Sequence, residues 1–204
     1  MQTLALEPQT LNNFIDNSHI SAEPKETIPV LNPSNSQVIG HVPLSNSIQA
    51  AVSSSKLALL KWSKLTVKSR VQYLFKFRDL VTKYLDELAN LIVTEHGKTK
   101  SEAIAEIHKG IETLDYAISL PQLISGNIQQ VSRGITCHDK LEPIGVCVSI
   151  VPFNFPFMVP FWTIPIALAA GNTLIIKPSE KVPFTMSRVM EIFAEAGLPE
   201  GSFI

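Results

Sequence analysis

Charge is scarce in this sequence of 204 residues. Lys, Arg, Asp and Glu make up 17% of the chain, which is below the roughly 25% of an average globular protein. The net charge is -1, and no long run of one sign occurs. We therefore expect neither a nucleic-acid partner nor an anionic membrane partner. The segment Met1–Asn17 lacks a basic start and an apolar centre, so we expect no signal peptide.

Cysteine is also scarce, since Cys137 and Cys147 are the only two. They are too few and too close together for the disulfide framework of a small secreted protein. Thiols are maintained in a reducing compartment, so a cytoplasmic location is expected. No cluster of metal-ligating residues stands out, and no metal site is predicted.

One uncharged stretch, Pro143–Ile176, extends over 34 residues. A run of that length could suggest a transmembrane helix. It contains five prolines, each of which removes a helical hydrogen-bond donor, and in lipid the freed backbone groups would need other partners. We therefore favour a buried strand, turn and helix, and we expect no membrane association.

The first part of the chain combines short strands with helices. The first thirty residues are polar and predict an arm or short strands at Phe14-Ile15 and His19-Ile20, and Val38–Val42 is a candidate strand. Apolar residues then recur at helical spacing. Three helices are predicted: Ser47–Trp62 with Ser47 as N-cap, a single helix from Ser69 to a C-cap at Gly97, and Ser101–Ile118.

The last part of the chain alternates strands and helices. Short strands are predicted at Ile128–Val131 and Ile135–His138. Val146–Val151 is an apolar, β-branched run typical of a strand buried on both faces. The elements that follow are a helix at Phe157–Ala170 kinked by its prolines, a strand at Thr173–Lys177 and a helix at Phe184–Ala196. This order predicts an α/β fold with a parallel sheet and right-handed crossovers.

Ligands of an open parallel sheet bind where its strands end, and here the loops after Val151 and Lys177 end two strands. In the second loop, the carboxylate of Glu180 suits a ribose diol, and Lys177 can donate to the same hydroxyls. Glu180 would repel a 2'-phosphate, which favours NAD over NADP, although Lys181 weakens that inference. The alternative is a solvated charged turn.

In the first loop, Asn154 lies between two phenylalanines. An amide held in an apolar loop can donate to a developing oxyanion, and the alternative is an asparagine that satisfies a turn. No G-x-G-x-x-G follows the first strand, so the ordinary Rossmann pyrophosphate turn is absent there.

Four collinear motifs stand in this part of the chain: Pro143-Ile144-Gly145-Val146-Cys147, Pro152-Phe153-Asn154-Phe155-Pro156, Gly171-Asn172-Thr173 and Lys177-Pro178-Ser179-Glu180. Together with Asn32-Pro33, Trp62 and Glu95-His96-Gly97-Lys98-Thr99, they resemble the aldehyde dehydrogenase superfamily. Phe153, where many relatives have tryptophan, and the stretch 178–183 resemble its CoA-acylating methylmalonate (or malonate) semialdehyde branch.

The resemblance implies the front portion of an NAD-binding domain, less than half of a typical member. Its parts would be an arm at 1–30, a helical part at 31–125, an oligomerisation hairpin at 126–142 and the first β-α-β-α of the nucleotide sheet at 143–204. A homo-oligomer is implied.

The resemblance also implies roles for the loop residues. Val151 and Phe153 would line the NAD site, and Lys177 and Glu180 would hold the adenosine ribose. Lys181 stands where this branch usually has arginine. Asn154 would donate to the oxyanion formed when a cysteine attacks the aldehyde.

The family needs that cysteine nucleophile, hydride transfer to NAD, and release of the acyl group to CoA or water. In relatives the cysteine lies beyond the position of Ile204. Cys147 is expected to be an inert buried residue. Cys137 adjoins His138, but neighbouring residues of a strand point to opposite faces. We therefore expect this chain alone to be inactive, and the alternative is a non-catalytic module that binds NAD or pairs with a full-length relative.

Overall fold

A computed structural model describes residues 9–21, 26–44 and 47–204 as a mixture of helices and strands. The arm predicted at 1–30 lies partly outside these ranges. Its described part contains β1 (Gln9–Thr10) and an antiparallel hairpin of β2 (Asn13–Ile15) and β3 (Ser18–Ile20), which confirms both short strands. The next strands, β4 (Thr27–Leu31) and β5 (Val38–Pro43), form a three-stranded sheet with β1 in the order β1-β5-β4.

Five helices follow: α1 (Ile48–Trp62), α2 (Val67–Lys83), α3 (Leu85–His96), α4 (Lys100–Ile118) and α5 (Leu120–Leu123). Ser47 precedes α1 as predicted, but its hydroxyl accepts a hydrogen bond from Asn13 Nδ2 at 3.0 Å and makes no capping bond. Thr99 begins α4 with a capping box, in which its side chain and that of Glu102 bond each other's backbone amides. Such reciprocal bonds satisfy amides that the first helical turn leaves free.

The single helix predicted from Ser69 to Gly97 is wrong, because Tyr84 divides it into α2 and α3. Tyr84 leaves helical geometry with φ -97° and ψ 15°. Both helices pack against the same core, so the apolar spacing continues across the break and hides it. Gly97 does end α3, at φ 86°, a conformation that glycine adopts without steric cost.

The strands of the last part lie close to their predicted bounds. The exposed strands β6 (Ile128–Ser132) and β7 (Ile135–His138) form an antiparallel hairpin. Farther along, β8 (Val146–Ile150) pairs in parallel with β9 (Thr173–Lys177). Residues 202–204 form an isolated parallel bridge beside β9, in which Leu174 N donates to Ser202 O at 3.0 Å and Ile204 N donates to Leu174 O at 2.9 Å.

Three helices follow the strands: α6 (Met158–Phe161), α7 (Ile164–Ala169) and α8 (Phe184–Glu195). The helix predicted at Phe157–Ala170 is therefore two short helices rather than one kinked helix. Pro165, in the first turn of α7, has no backbone donor to continue a helix through this point.

The main core lies between helices α1–α5, which we call the helical layer, and helices α6–α8. Its aromatic centre includes Phe77 of α2 stacked on Phe193 of α8, with ring centroids 3.6 Å apart, and Phe157 stacked near Phe161 at 4.1 Å. Trp62 Nε1 donates to Leu168 O at 3.1 Å, which satisfies the indole within a fully buried site.

The prediction that β8 is buried on both faces is wrong for the described residues. Ser149 is buried, and Cys147 is partly buried against the core. Val148 and Ile150, which alternate with them, are 62% and 75% exposed. An apolar, β-branched run indicates strand conformation, but the number of layers that cover the strand depends on the rest of the fold.

Candidate functional site

The two strand ends adjoin each other at one edge of the sheet. Ile150 is opposite Lys177 in the parallel register, and Val151 N donates to Lys177 O at 3.2 Å. The ammonium of Lys181 lies over the ring of Phe153, 4.7 Å from its centroid. The loops 151–157 and 178–183 therefore adjoin each other, as expected from the order of the elements.

The second loop presents an ion pair at the carboxyl end of β9. Lys177 Nζ lies 3.2 Å from Glu180 Oε2, and the two side chains are 57% and 42% exposed. The backbone amide of Glu180 and the Lys177 ammonium hold the pKa of the Glu180 carboxyl below its usual value. Glu180 is thus an accessible carboxylate with a cation beside it, a combination that can bind a diol.

The first loop places its predicted residues in different environments. Val151 is buried, whereas Phe153 and Asn154 are exposed. The Asn154 carbonyl accepts a hydrogen bond from Lys98 Nζ at 3.4 Å. The side-chain amide of Asn154 is therefore carried on a loop that is itself held by the helical layer.

Two buried carboxylates that were absent from the predicted site fix the helices that follow these loops. Glu106 Oε1 accepts from Phe157 N at 2.8 Å and Met158 N at 3.2 Å, at the start of α6. At the start of α8, Glu95 accepts from Phe184 N at 2.7 Å and Thr185 N at 2.9 Å. Each carboxylate satisfies amides that a helix start leaves free. The available sequence signal was the position of Glu106 between Ala103 and Ile107, on an apolar helix face where an acid must be paired.

The two carboxylates also differ in their electrostatics. Burial raises the pKa of Glu95 to about 7, and its hydrogen bonds to Thr185 and Phe184 only partly oppose that effect. Glu106 is 1% exposed and forms an ion pair with Lys98. Glu95 is therefore a carboxyl that can be protonated near neutral pH, whereas Glu106 has a cation beside it.

The entry to β8 is fixed by the pair Gly171 and Asn172. Asn172 Oδ1 accepts from Ile144 N at 2.8 Å and from Gly145 N at 3.0 Å. Gly171 has φ 96°, and a Cβ there would stand 2.7 Å from Pro143 Cγ. Only glycine fits that conformation and that close approach, so this motif sets where β8 begins.

Neither cysteine lies in the two loops. Cys147, in β8, is half-buried rather than fully buried as predicted, because only one face of the strand is covered. Burial nevertheless raises the pKa of its thiol, which disfavours the reactive thiolate. Cys137 is exposed on β7.

A largely apolar groove of about 680 Å³ adjoins the Lys177–Glu180 loop. Its walls come from the N-terminal strands, α1, the β8–β9 sheet and α8, and they include Phe14, Val42, Ala51, Ile150 and Ile176. Its volume is within the range of small-molecule sites. Separately, none of the helices in the described ranges is long and apolar enough to cross a membrane.

Residues 19–204 match the aldehyde dehydrogenase family model, and the chain belongs to this family. It is 40% identical to the malonate-semialdehyde dehydrogenase of Lacticaseibacillus casei over 98% of the chain and 42% of that relative. A structure from Sinorhizobium meliloti 1021, named provisionally as a methylmalonate-semialdehyde dehydrogenase and complexed with NAD, has a TM-score of 0.94 and 34% identity, over 97% of this chain and 41% of that one.

A further solved structure, an NADP-dependent enzyme of E. coli, has a TM-score of 0.90 and 31% identity, over 97% of this chain and 41% of that one. These likenesses confirm the predicted family and the α/β fold, and they make the chain a member of an oxidoreductase family. The chain spans about two-fifths of the length of the relatives that it matches.

Proposed function

We propose that these residues supply the NAD-ribose site and the oxyanion donor of an aldehyde dehydrogenase that oxidises malonate or methylmalonate semialdehyde and passes the acyl group to CoA. The observation that carries this proposal is the Lys177–Glu180 pair, which stands at the end of β9 beside the Asn154 loop at the end of β8. The substrate and CoA are inferred from the relatives' names and from the resemblance of Phe153 and 178–183 to that branch.

For the cofactor, Glu180 and Lys177 would hold the adenosine ribose, and Val151 and Phe153 would line the site. Lys181 would add a third charged side chain to the site. The residues fit the group, since a charged, accessible carboxylate and an ammonium are adjacent at the strand ends where dinucleotides bind in open α/β sheets. NAD, when bound, supplies the acceptor for the substrate's hydride.

Asn154 would stabilise the negative charge that develops on the aldehyde oxygen. Its side chain is exposed, and its backbone carbonyl accepts a hydrogen bond from Lys98. An amide donor placed within hydrogen-bond distance of the aldehyde oxygen would stabilise the oxyanion.

We extend the proposal to the organisation of the enzyme. The arm at 1–30, the helical part at 31–125, the hairpin at 126–142 and the nucleotide part at 143–204 would be its units, and the hairpin would join copies into a homo-oligomer. The exposed apolar side chains Ile128, Val131 and Ile135 support that role, because contiguous exposed apolar surface marks interaction sites. The two unpaired cysteines support a cytoplasmic location.

The cofactor proposal is tested by titrating NAD into this chain. Glu180→Gln is expected to weaken NAD binding by roughly ten- to a hundredfold, because the loss of a hydrogen bond from a charged group costs about 1.5–3 kcal/mol. The same variant should raise NADP affinity relative to NAD, since it removes the carboxylate that repels a 2'-phosphate.

Lys109 and Glu112 provide a matched control. They form another exposed pair three residues apart, at 2.8 Å, so Glu112→Gln removes a similar charge away from the site. Equal NAD affinity in wild type and Glu180→Gln, or an equal loss in Glu112→Gln, would contradict the assignment of Glu180.

This chain alone is expected to give no aldehyde-dependent NADH, because neither Cys137 nor the half-buried Cys147 lies in the two loops. The measurement is absorbance at the nicotinamide band with the semialdehyde, NAD and CoA present. Turnover that survives Cys137→Ser together with Cys147→Ser would overturn the requirement for a nucleophile from outside these residues.

A second candidate function is a non-catalytic module that binds NAD or pairs with a full-length relative. The exposed hairpin β6–β7 favours it, since all residues of both strands are exposed. Co-elution with a relative such as the L. casei enzyme, and its loss on Ile135→Asp, would support pairing. Separate elution of the wild-type chain, without any NAD binding, would contradict this function.

A further inference from the structure

We propose that Lys98 and Glu106 form a positioning device that holds the 152–156 loop, and with it Asn154, against the helical layer. The inference rests on the oxyanion role proposed for Asn154, and it names residues that the cofactor site does not include. Both residues are remote in sequence from the loop, by 56 and 51 residues for the contacts concerned.

Lys98 holds the middle of the loop. Its ammonium donates to the Asn154 carbonyl at 3.4 Å and lies 4.6 Å from the centroid of the Phe155 ring. The Lys98 side chain is only 10% exposed, although the loop residues that it contacts are exposed.

Glu106 holds the end of the loop and holds Lys98 at the same time. One carboxylate oxygen accepts from Phe157 N and Met158 N, at 2.8 and 3.2 Å. The other oxygen is hydrogen-bonded to Lys98 Nζ. A single carboxylate thus ties the start of α6 to the lysine that bonds Asn154.

Close packing makes this anchor rigid. Gly110 lies one turn beyond Glu106 on α4, and a Cβ there would stand 2.6 Å from the ring of Phe157. Phe157 is completely buried, so the end of the loop has little room to move. An amide that must meet a developing charge needs placement within roughly 0.5 Å, and this contact with α4 can provide it.

Glu95 offers a matched comparison within the same fold. It is also buried, and it also accepts two amides at a helix start. Its contacts are with α8, after the other loop. Removing its charge should therefore leave the Asn154 loop protected.

The test is amide hydrogen exchange followed by NMR on the full chain, with the backbone amides of residues 153–155 and the side-chain amide of Asn154 read separately. Lys98→Met is expected to speed exchange at residues 153–155 by roughly tenfold, the effect of losing a charged hydrogen bond. The slowest core amides report global stability in the same samples. Lys98→Arg should restore most of the protection.

Glu106→Gln keeps an oxygen that can accept from Phe157 N and Met158 N, but it removes the charge that holds Lys98. We expect it to speed exchange at 153–155 as Lys98→Met does, and the double variant to show no more than either single change, because the two residues act through one contact. Glu95→Gln should leave exchange at 153–155 unchanged.

Three outcomes would overturn the proposal: unchanged protection at 153–155 in both single variants, additive effects in the double variant, or an equal increase in the exchange rate of the core amides. None of these measurements uses cofactor. A wild-type chain that fails to bind NAD would instead contradict the proposed function and leave the loop result intact.

Discussion

The helical interior and the outer rim of this chain differ sharply in how their apolar side chains are covered. In the interior, Phe77, Phe157 and Phe161 are completely buried. On the rim, which we define as the hairpin β6–β7, strand β8 and the outward face of α1, Ile128, Ile150 and Leu57 are 73%, 75% and 69% exposed.

The comparison separates two uses of the same residue types. Interior apolar residues stabilise the fold through burial, at roughly 25 cal/mol per Å² removed from water. Apolar residues of the rim bury little surface in these 204 residues and so contribute little to the stability of the fold. They can contribute only where another surface covers them. The relatives that this chain matches are more than twice as long.

Truncation of a core ring is the strongest way to test this comparison. Phe161→Ala is expected to lower the free energy of unfolding by about 3–5 kcal/mol, because it opens a cavity within the aromatic stack. Ile135→Ala in the hairpin should change it by less than about 0.5 kcal/mol. Urea denaturation of both variants measures the difference, and similar losses would mean that the rim is part of the folding core.

The next effect concerns pH and Glu95. Because the pKa of Glu95 rises from 4.5 to about 7 on folding, the folded state binds its proton more tightly than the unfolded state does. This contribution to stability is present below pH 4.5 and is lost as pH rises through about 7. Its size is about 3 kcal/mol, at 1.36 kcal/mol per pKa unit.

Glu95→Gln should remove that pH dependence, since its amide oxygen can still accept from Phe184 N. The variant is therefore expected to match the wild type near pH 4.5 and to be more stable near pH 8. Urea midpoints at the two pH values provide the measurement. Parallel pH profiles for the two proteins would show that Glu95 stays charged in the interior.

The smallest expected change in stability comes from the sheet edge. In the described residues β8 pairs only with β9, and open apolar edges favour association between chains. Ile150→Lys should change stability by less than about 0.5 kcal/mol while reducing concentration-dependent association. Light scattering over a concentration series gives the readout, and unchanged association would exclude this edge as its cause.

Much of the structure of residues 143–204 was predictable from local signals. The strand at Thr173–Lys177 has its predicted bounds, and α8 ends within one residue of its prediction, because Gly171 and Gly197 punctuate short apolar runs. The proximity of the two loops followed from the order of strands and helices. The site roles of Asn154, Lys177 and Glu180 came from the family resemblance, and they stay predictions.

Features that depend on distant partners were beyond the sequence pattern. The contacts of Glu106 with α6 join residues 51 positions apart, and no spacing rule connects them. The exposure of Val148 depends on which layers cover β8. Tyr84 interrupts a helical pattern whose two halves pack on one core, so the apolar period carries no trace of the break.

The two buried glutamates also imply an order of assembly during synthesis. Glu95 and Glu106 precede in the chain the helix starts that they bond, by 89 and 51 residues. A ribosome therefore delivers both carboxylates, on helices rich in fast-forming local contacts, before the amides of α6 and α8 exist. Helices α3 and α4 can then serve as a template for α8 and α6, because each provides one buried carboxylate that accepts the first amides of the later helix.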